Sequence, residues 1–272
     1  MIILENAIKN RRNLEISIDY LEIPKGMVTM IVSRNSGGKS TLLKVLSGAL
    51  KLNEGKYLID TQSIDEYKKN NTVFYMPDSV PVAPQKSVFS STSLFEGVYE
   101  GFASRQFEKN LIEANIPMHS RIRELSKGQQ KKYMFELLKL SNAKMLLLDE
   151  PTNGLDENNK TEFKKIIQNY LLNDDNYVVI ASNNVEDIEN ICDNLVYIKN
   201  GKVFFEGSVL DLQDRYKLWT GPKDKIPTHG VVGVRKKRNT ADALIDITLN
   251  TVIEVNEINL HDLLIMLERG TA

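Results

Sequence analysis

The sequence has little cysteine, no long apolar run and almost no net charge, and each shortage argues against a class of protein. Its one cysteine, Cys192, permits no internal disulfide and is typical of a reducing compartment. No apolar stretch approaches the ~20 residues needed to span a bilayer, and the opening MIILENAIKNRR does not resemble a secretory signal. A formal net charge of -1 gives no reason to expect nucleic-acid binding. We therefore predict a soluble cytoplasmic protein.

What the sequence does have is an alternation of short apolar strands and amphipathic helices, which predicts an α/β fold with a largely parallel sheet. Its 272 residues are enough for one large domain and a small one. A small α+β unit is predicted after Tyr216, with a helix from about Leu260 and a solvated basic loop at 235–238. Earlier in the chain, strands are predicted at 26–32, 72–76, 144–150 and 177–182, helices from Ser40, around 163–171 and over 185–192, and hairpins turning at 53–55 and within 195–207.

A phosphate-binding loop is indicated by MIVSRNSGGKSTLL, residues 30–43. Gly38, Lys39 and Ser40 fit the end of the pattern G-x-x-x-x-G-K-[ST], whereas Ser33 stands where its first glycine is expected. In such a loop, backbone N–H groups and a helix N-terminus hold the phosphates, the lysine reaches the β- and γ-phosphates, and the serine hydroxyl coordinates Mg²⁺. The candidate nucleotide-binding residues are Ser33, Arg34, Asn35, Ser36, Gly37, Gly38, Lys39, Ser40 and Thr41. Taken alone, the stretch fits a serine-rich turn before a core helix equally well.

Two carboxylates end the apolar run KMLLLDE, residues 144–150. Asp149 is placed to deliver a carboxylate to the shell of Mg²⁺, and Glu150 to orient or deprotonate an attacking water. By itself, the run is better explained as a core strand followed by acidic loop residues. Its position downstream of the candidate loop favours the catalytic interpretation.

The strings LSKGQQKK (125–132) and LLLDEPTNGLD (146–156), in this order, resemble the ATP-binding cassette ATPases of ABC transporters. The resemblance covers about residues 1–212 and implies a P-loop NTPase core with a mostly parallel sheet and an antiparallel β subdomain. It also implies an α-helical subdomain at about 79–140 that docks on membrane subunits, with an accessory C-terminal extension over 213–272. In this family two cassettes face head to tail and enclose two ATP molecules. The residues implied to face the partner cassette are Ser126, Lys127, Gly128, Gln129 and Asp156.

The candidate loop and its adenine contact depart from the family's pattern. Ser33 and Ser36 replace two family glycines, which weakens nucleotide binding where the backbone needs a positive φ. No aromatic residue precedes Tyr20 to stack on adenine. Arg11 or Arg12 is the candidate substitute, because a planar guanidinium also stacks, with two solvated arginines as the alternative.

The hydrolytic residues depart from the pattern as well. Asp78 stands where the family carries Gln or Glu that contacts Mg²⁺ or water, and Asn183 stands at the position of a switch histidine. An asparagine can donate a hydrogen bond to a γ-phosphate but carries no imidazolium charge. Because Glu150 is retained, we predict a slow or asymmetric ATPase, with Glu150 and Asn183 as the catalytic candidates and Ser40, Asp78 and Asp149 as the Mg²⁺ candidates.

The resemblance implies an ATP-binding subunit that uses Mg²⁺, pairs with a second cassette and serves membrane-spanning subunits on separate chains, at the inner face of the cell membrane. The signature LSKGQ and the extension, which is similar to that of some exporter-type cassettes, favour export, with import left open. Two other interpretations also stay open. One is a non-transport cassette protein that remodels a partner, and the other is an ATP-binding scaffold without turnover.

Overall fold

The structure is a computed structural model that describes residues 1–11, 14–33, 37–79, 84–249 and 254–269. Its strands are β1 (Ile2–Arg11), β2 (Leu14–Ile23), β3 (Val28–Ser33), β4 (Glu54–Ile59), β5 (Val73–Met76), β6 (Met145–Asp149), β7 (Tyr177–Ala181), β8 (Asn194–Lys199), β9 (Lys202–Ser208), β10 (Tyr216–Pro222), β11 (Val231–Lys236) and β12 (Thr240–Asp246). Its α-helices are α1 (Lys39–Leu46), α2 (Ile64–Asn70), α3 (Val88–Glu96), α4 (Ser104–Glu113), α5 (Lys127–Leu140), α6 (Glu157–Tyr170), α7 (Val209–Arg215) and α8 (Leu260–Arg269). Short 3-10 helices lie at Ile122–Glu124, Val185–Asp187, Glu189–Ile191 and Lys223–Lys225.

Nine strands form one mixed sheet in the order β4-β1-β2-β9-β8-β3-β7-β6-β5. The strands from β8 to β5 run parallel, while β1 pairs antiparallel with β2 and β4, and β8 pairs antiparallel with β9. Every residue of β3, β6 and β7 is buried, as expected for strands covered on both faces. These features confirm the predicted α/β fold with a parallel core and an antiparallel section.

The helices α3, α4 and α5 lie within the predicted helical subdomain and pack around an aromatic cluster. The ring of Phe95 lies 5.7 Å from that of Phe107 and 5.6 Å from that of Phe102, measured between centroids. Tyr133 joins the cluster from α5, with its ring 5.5 Å from Phe107. The helices that precede and contain the LSKGQ string are therefore tied together by burial of aromatic area. The boundaries of this subdomain and of the extension stay predictions.

Two expected elements differ from the structure. The hairpin predicted at 53–55 is wrong, because Glu54 and Gly55 open β4, which pairs with β1. Position 55 requires a glycine because the backbones of β4 and β1 approach closely where their register shifts. A Cβ at Gly55 would lie 2.1 Å from the carbonyl oxygen of Asn6. The helix predicted over 185–192 is instead two 3-10 turns, and the buried residues Val185 and Ile188 are three apart, the period of a 3-10 helix. The hairpin predicted within 195–207 is confirmed, with Asn200 and Gly201 both at positive φ.

The C-terminal unit is a three-stranded sheet in the order β10-β12-β11, with α8 packed against β11. The helix predicted from about Leu260 is confirmed. The α8 helix also contacts the 3-10 turn Val185–Asp187, and His261 Nε2 lies 3.6 Å from a Glu186 carboxylate oxygen. The unit is therefore packed onto the segment that follows β7.

A buried carboxylate holds this small sheet together. Asp242 has a side chain only 1% exposed and accepts hydrogen bonds from Arg235 Nε at 3.0 Å and Nη2 at 2.9 Å. It also accepts from Lys237 Nζ, and from Thr220 Oγ1 at 3.1 Å. The solvated loop predicted at 235–238 is therefore wrong for Arg235, which lies in β11 opposite Asp242 and pairs with that carboxylate. Lys237 lies in the loop after β11 and is exposed as predicted, although its Nζ also pairs with Asp242. Within the described residues, no helix is both long and apolar enough to span a bilayer.

Candidate nucleotide-binding and hydrolytic site

Three adjacent strands bring the candidate residues to one edge of the large sheet. In the register of β3, β7 and β6, Ile31 lies beside Ala181 and Ala181 lies beside Asp149. Because parallel strands end at the same edge, the loops that follow them emerge side by side, where ligands bind in open α/β sheets. Lys39, Asn183 and Glu150 lie on these three loops or just beyond them.

The turn into α1 requires a glycine at position 38. Gly38 has φ of +108°, and a Cβ there would lie 2.9 Å from Ile16 Cδ1 of β2. The first residues of β2 therefore pack against the start of α1. Gly37 and Thr41 lie next to this turn, and their predicted contact with nucleotide stays a prediction; Arg34, Asn35 and Ser36 lie outside the described residues.

Lys39 is aimed into the site rather than into solvent. It is 7% exposed, and its Nζ donates to Asn183 Oδ1 at 2.6 Å and to the Ser33 carbonyl at 3.3 Å. Burial lowers the pKa of Lys39, and the charges of Glu150 and Asp149 oppose that shift. A buried ammonium facing two carboxylates is a fixed positive charge of the kind that binds phosphate.

Ser40 and Asp149 are joined by a hydrogen bond between their side chains. Burial raises the pKa of the Asp149 carboxyl, and a hydrogen bond from the Ser40 side chain acts against that rise. A hydroxyl and a carboxylate held together form a donor set that fits Mg²⁺, which takes oxygen ligands and keeps several waters. Asp78 lies at the rim, with its side chain 55% exposed.

Glu150 has an unusual backbone that three contacts fix in place. Its φ is +48°, in the left-handed region, and its N–H donates to the Ala181 carbonyl at 2.8 Å. Its own carbonyl accepts from Lys131 Nζ at 2.8 Å. Its carboxylate accepts the Asn183 backbone N–H at 3.0 and 3.1 Å. Burial raises the pKa of Glu150, while that hydrogen bond from Asn183 lowers it, and a raised pKa makes the carboxylate a stronger base.

Lys131 is a site residue that the sequence interpretation missed. It lies on α5 and is 3% exposed, and its Nζ is 3.8 Å from Asp78 Oδ1. A signal was available, because Lys131 precedes Met134, Phe135 and Leu138 at helical spacing. An extension of that buried stripe by one turn predicts that position 131 faces inward.

The signature residues make contacts within their own segment and with the loop before α6. Ser126 caps α5: its Oγ accepts the Gln129 N–H at 3.2 Å, while the Gln129 side chain accepts the Ser126 N–H at 3.0 Å. Lys127 and Gly128 pack beside Gly154, and Asp156 caps α6 by accepting the Asn159 N–H at 2.9 Å. Over the described part of the chain, no hydrogen bond joins this group to Lys39 or Ser40.

The adenine contact stays a prediction. Arg11 is exposed at the end of β1, on the hairpin whose next strand packs on Gly38. Arg12 lies outside the described residues.

Comparison with known proteins gives a consistent result. The model of the family described as ABC transporter matches residues 18–153. The chain is 25% identical over 195 residues to the ABC transporter ATP-binding protein YtrB of Bacillus subtilis, covering 71% of this chain and 66% of that protein. The chain therefore spans about two thirds of the length of this curated relative.

Solved structures share the fold. A dimeric bacterial ABC transporter cassette superposes with a TM-score of 0.64 at 21% identity, over 77% of this chain and 99% of that one. CbiO1 of Clostridium perfringens, described as part of the ABC transporter complex cbiONQ, gives a TM-score of 0.57 at 25% identity, over 76% of this chain and 88% of that one. The predicted P-loop NTPase fold of cassette type is thereby confirmed.

Proposed function

Because the chain belongs to the ABC transporter family, we propose that it is the ATP-binding subunit of a transporter, which binds ATP at the β3, β7 and β6 strand ends and hydrolyses it slowly. One observation carries the proposal: Lys39, the Ser40–Asp149 pair and Glu150 converge at one edge of the sheet. A phosphate-binding cation, a metal-binding pair and a general base are the parts that phosphoryl transfer to water needs.

The phosphates of ATP would lie over the start of α1. There the helix N-terminus and loop N–H groups favour negative charge. Lys39 Nζ, which now donates to Asn183 Oδ1 and the Ser33 carbonyl, would instead donate to phosphate oxygens. Once released, the Asn183 side-chain amide can donate to the γ-phosphate through its own N–H groups.

Mg²⁺ would be held by Ser40 and Asp149, with Asp78 at the rim, and when bound it neutralises charge on the phosphate oxygens. Glu150 would orient the attacking water and accept its proton. The Asn183 backbone N–H, donating at 3.0 and 3.1 Å, keeps the Glu150 carboxylate turned towards the loop that follows β7. The site therefore retains its base even though it lacks a histidine at position 183.

A second cassette would complete each site. Ser126, Lys127, Gly128 and Gln129 form the N-terminus of α5, which favours negative charge, and in the family's head-to-tail arrangement they would contact the ATP bound by the other subunit. We propose a head-to-tail dimer that serves membrane subunits on separate chains at the inner face of the membrane, with export as the direction. Relatives described as an ABC transporter ATP-binding protein and as part of a transporter complex support the association with such subunits.

The test is ATP binding and steady-state hydrolysis by the purified chain. Lys39→Ala should abolish binding, and Glu150→Gln should retain binding but lower turnover by at least about 100-fold. Glu113→Gln, which changes an exposed acid on α4, is the matched control and should behave as wild type. ATP binding without any turnover in the wild type would favour the ATP-binding scaffold, for which the asparagine at position 183 is the supporting observation.

The transport role needs a separate test. Co-purification with a membrane protein of many spans would support it. Stable association with only soluble partners would favour the non-transport interpretation instead.

A further inference from the structure

A buried lysine on α5 contacts the backbone of the proposed catalytic base. The Lys131 side chain is 4% exposed, and its Nζ donates to the Glu150 carbonyl at 2.8 Å and lies 3.8 Å from Asp78 Oδ1. Burial of an ammonium group is costly unless specific partners compensate for the lost water. Its described partners are one peptide carbonyl and the acidic residues around the site, so the lysine is held where the chemistry is proposed to occur.

The contacted peptide is the one whose conformation aims the carboxylate. A non-glycine residue at positive φ costs energy and persists only where its surroundings fix it. Glu150 is fixed on one side by its N–H bond to the Ala181 carbonyl and on the other by Lys131. Without Lys131, the Glu150 carbonyl keeps, among described donors, only the Asn153 N–H at the longer distance of 3.3 Å.

The same lysine lies close to the signature residues. It follows the Ser126 cap by five residues, roughly 7.5 Å along the axis of α5. Lys127 and Gly128, at the start of that helix, pack beside Gly154, four residues after Glu150. A displacement of the first turn of α5 would therefore reach the Glu150 peptide through Lys131 within one short helical segment.

We propose that Lys131 is a positioning residue that holds the Glu150 backbone in its left-handed conformation, and so couples the Ser126 end of α5 to the hydrolytic carboxylate of its own chain. This inference rests on the proposed function. In a head-to-tail dimer, ATP bound at one site would contact and displace the first turn of α5 in the opposite subunit. Through Lys131, that displacement would shift the Glu150 peptide of the same subunit, which belongs to the second site.

The experiment compares Lys131→Met, which keeps length but removes the donor, with Lys131→Arg, which keeps a cationic donor. Lys132→Met is the matched control, since Lys132 is the next residue on α5 and lines a surface cavity with Glu113 and Glu162. For Lys131→Met we expect kcat to fall about 10–100-fold with KM for ATP within about twofold. Lys131→Arg should recover most of the lost turnover, and Lys132→Met should match wild type.

Two further readouts separate this inference from the proposed function. If Lys131 acts through Glu150, then Lys131→Met should add no further loss of single-turnover rate to Glu150→Gln. Hydrogen–deuterium exchange needs no turnover: the amides of Asn153 and Asn183, which donate to Glu150, should exchange about tenfold faster in Lys131→Met. Faster exchange across all of β6 and β7 would indicate unfolding, and Lys131→Gln then replaces methionine as the milder variant.

The outcomes are distinguishable. A wild-type chain that does not bind ATP refutes the proposed function, while the exchange measurement still tests the contact. A Lys131→Met protein with wild-type kcat and wild-type exchange at Asn153 and Asn183 overturns the inference even if the chain is an active ATPase.

Discussion

Replacement of Asp242 by asparagine should destabilise the small C-terminal sheet by about 2 kcal/mol. The change keeps the shape of the side chain and removes its charge. Asp242 is 1% exposed and accepts hydrogen bonds from Arg235, Lys237 and Thr220. The substitution therefore converts charge-assisted hydrogen bonds into neutral ones inside a buried cluster.

The exposure of the partners sets the magnitude. Removal of one member of a buried ion pair costs about 3–5 kcal/mol when the other charge is left buried and unpaired. Here Arg235 keeps its pair with Asp262, whose Oδ1 is 3.0 Å from Nη1, and the Lys237 side chain is 51% exposed and can be hydrated. The loss should therefore be that of one hydrogen bond to a charged group, about 1.5–3 kcal/mol.

The chain provides a local probe for this measurement. Its one tryptophan, Trp219, lies in β10 directly opposite Ala243, the residue after Asp242. Urea unfolding followed by tryptophan fluorescence therefore reports the sheet that the substitution disturbs. Asp224→Asn, an exposed acid in the same unit, is the control and should change stability by less than about 0.5 kcal/mol.

The dependence on pH has a definite sign. Burial alone would raise the pKa of Asp242, but hydrogen bonds from Lys237, Arg235 and Thr220 outweigh it and hold the pKa below its usual value. The carboxylate therefore contributes its stabilisation above the unfolded-state pKa of about 3.9 and loses it as the pH falls through the lower folded-state value. Equal stability of Asp242→Asn and wild type at pH 7, or a gap that widens on acidification, would refute this reasoning.

Three further predictions follow from other positions. Gly38→Ala should weaken ATP binding at least about tenfold, because the residue has φ of +108° and its new Cβ would lie 2.9 Å from Ile16 Cδ1. Equilibrium titration with ATP measures this affinity, and a wild-type value would contradict the prediction. Asn183→His should raise kcat about 5–10-fold with little change in KM, since a protonated imidazole donates a charge-assisted hydrogen bond; unchanged turnover in a steady-state assay would show that position 183 does not limit the rate. Burial raises the pKa of Cys192 to about 12, so its thiol should resist thiol reagents in the folded protein at pH 8 and react fully in denaturant. A colorimetric thiol assay can follow both reactions. Rapid reaction of the folded protein would show that the segment around Cys192 opens to solvent.

The sequence predicts the parts of the fold whose patterns are local. The buried strands β6 and β7 are continuous apolar runs with polar boundaries, and the Asn200–Gly201 turn has the residues that its positive φ values require. The glycine at position 55 misleads, because a bulge against a neighbouring strand and a turn both favour glycine. Only the pairing of β4 with β1, which joins distant segments, distinguishes the two.

The candidate site was predictable to a similar extent. Motif spacing indicates Lys39, Asp149 and Glu150, because the loop and strand patterns carry them. The contact of Lys131 with the Glu150 carbonyl depends on how α5 packs beside the loop that follows β6, and the pairing of Arg235 with Asp242 depends on strand register. Neither the packing of a helix nor the register of two strands can be predicted from one segment of sequence, because each depends on residues far apart in the chain.

The paired residues Ile31, Ala181 and Asp149 fix the spacing of the three strands that carry the site. Neighbouring strands in a sheet are about 4.8 Å apart, so the ends of β3 and β6 are separated by roughly 10 Å with β7 between them. Backbone hydrogen bonds set this interval, and side-chain changes leave it unaltered. Substitutions in the loops, such as serine for glycine or asparagine for histidine, therefore leave unchanged the spacing at which the loops after β3, β7 and β6 begin. In this molecule the spacing of the strands is the feature of the site least sensitive to substitution, because it is a property of the sheet.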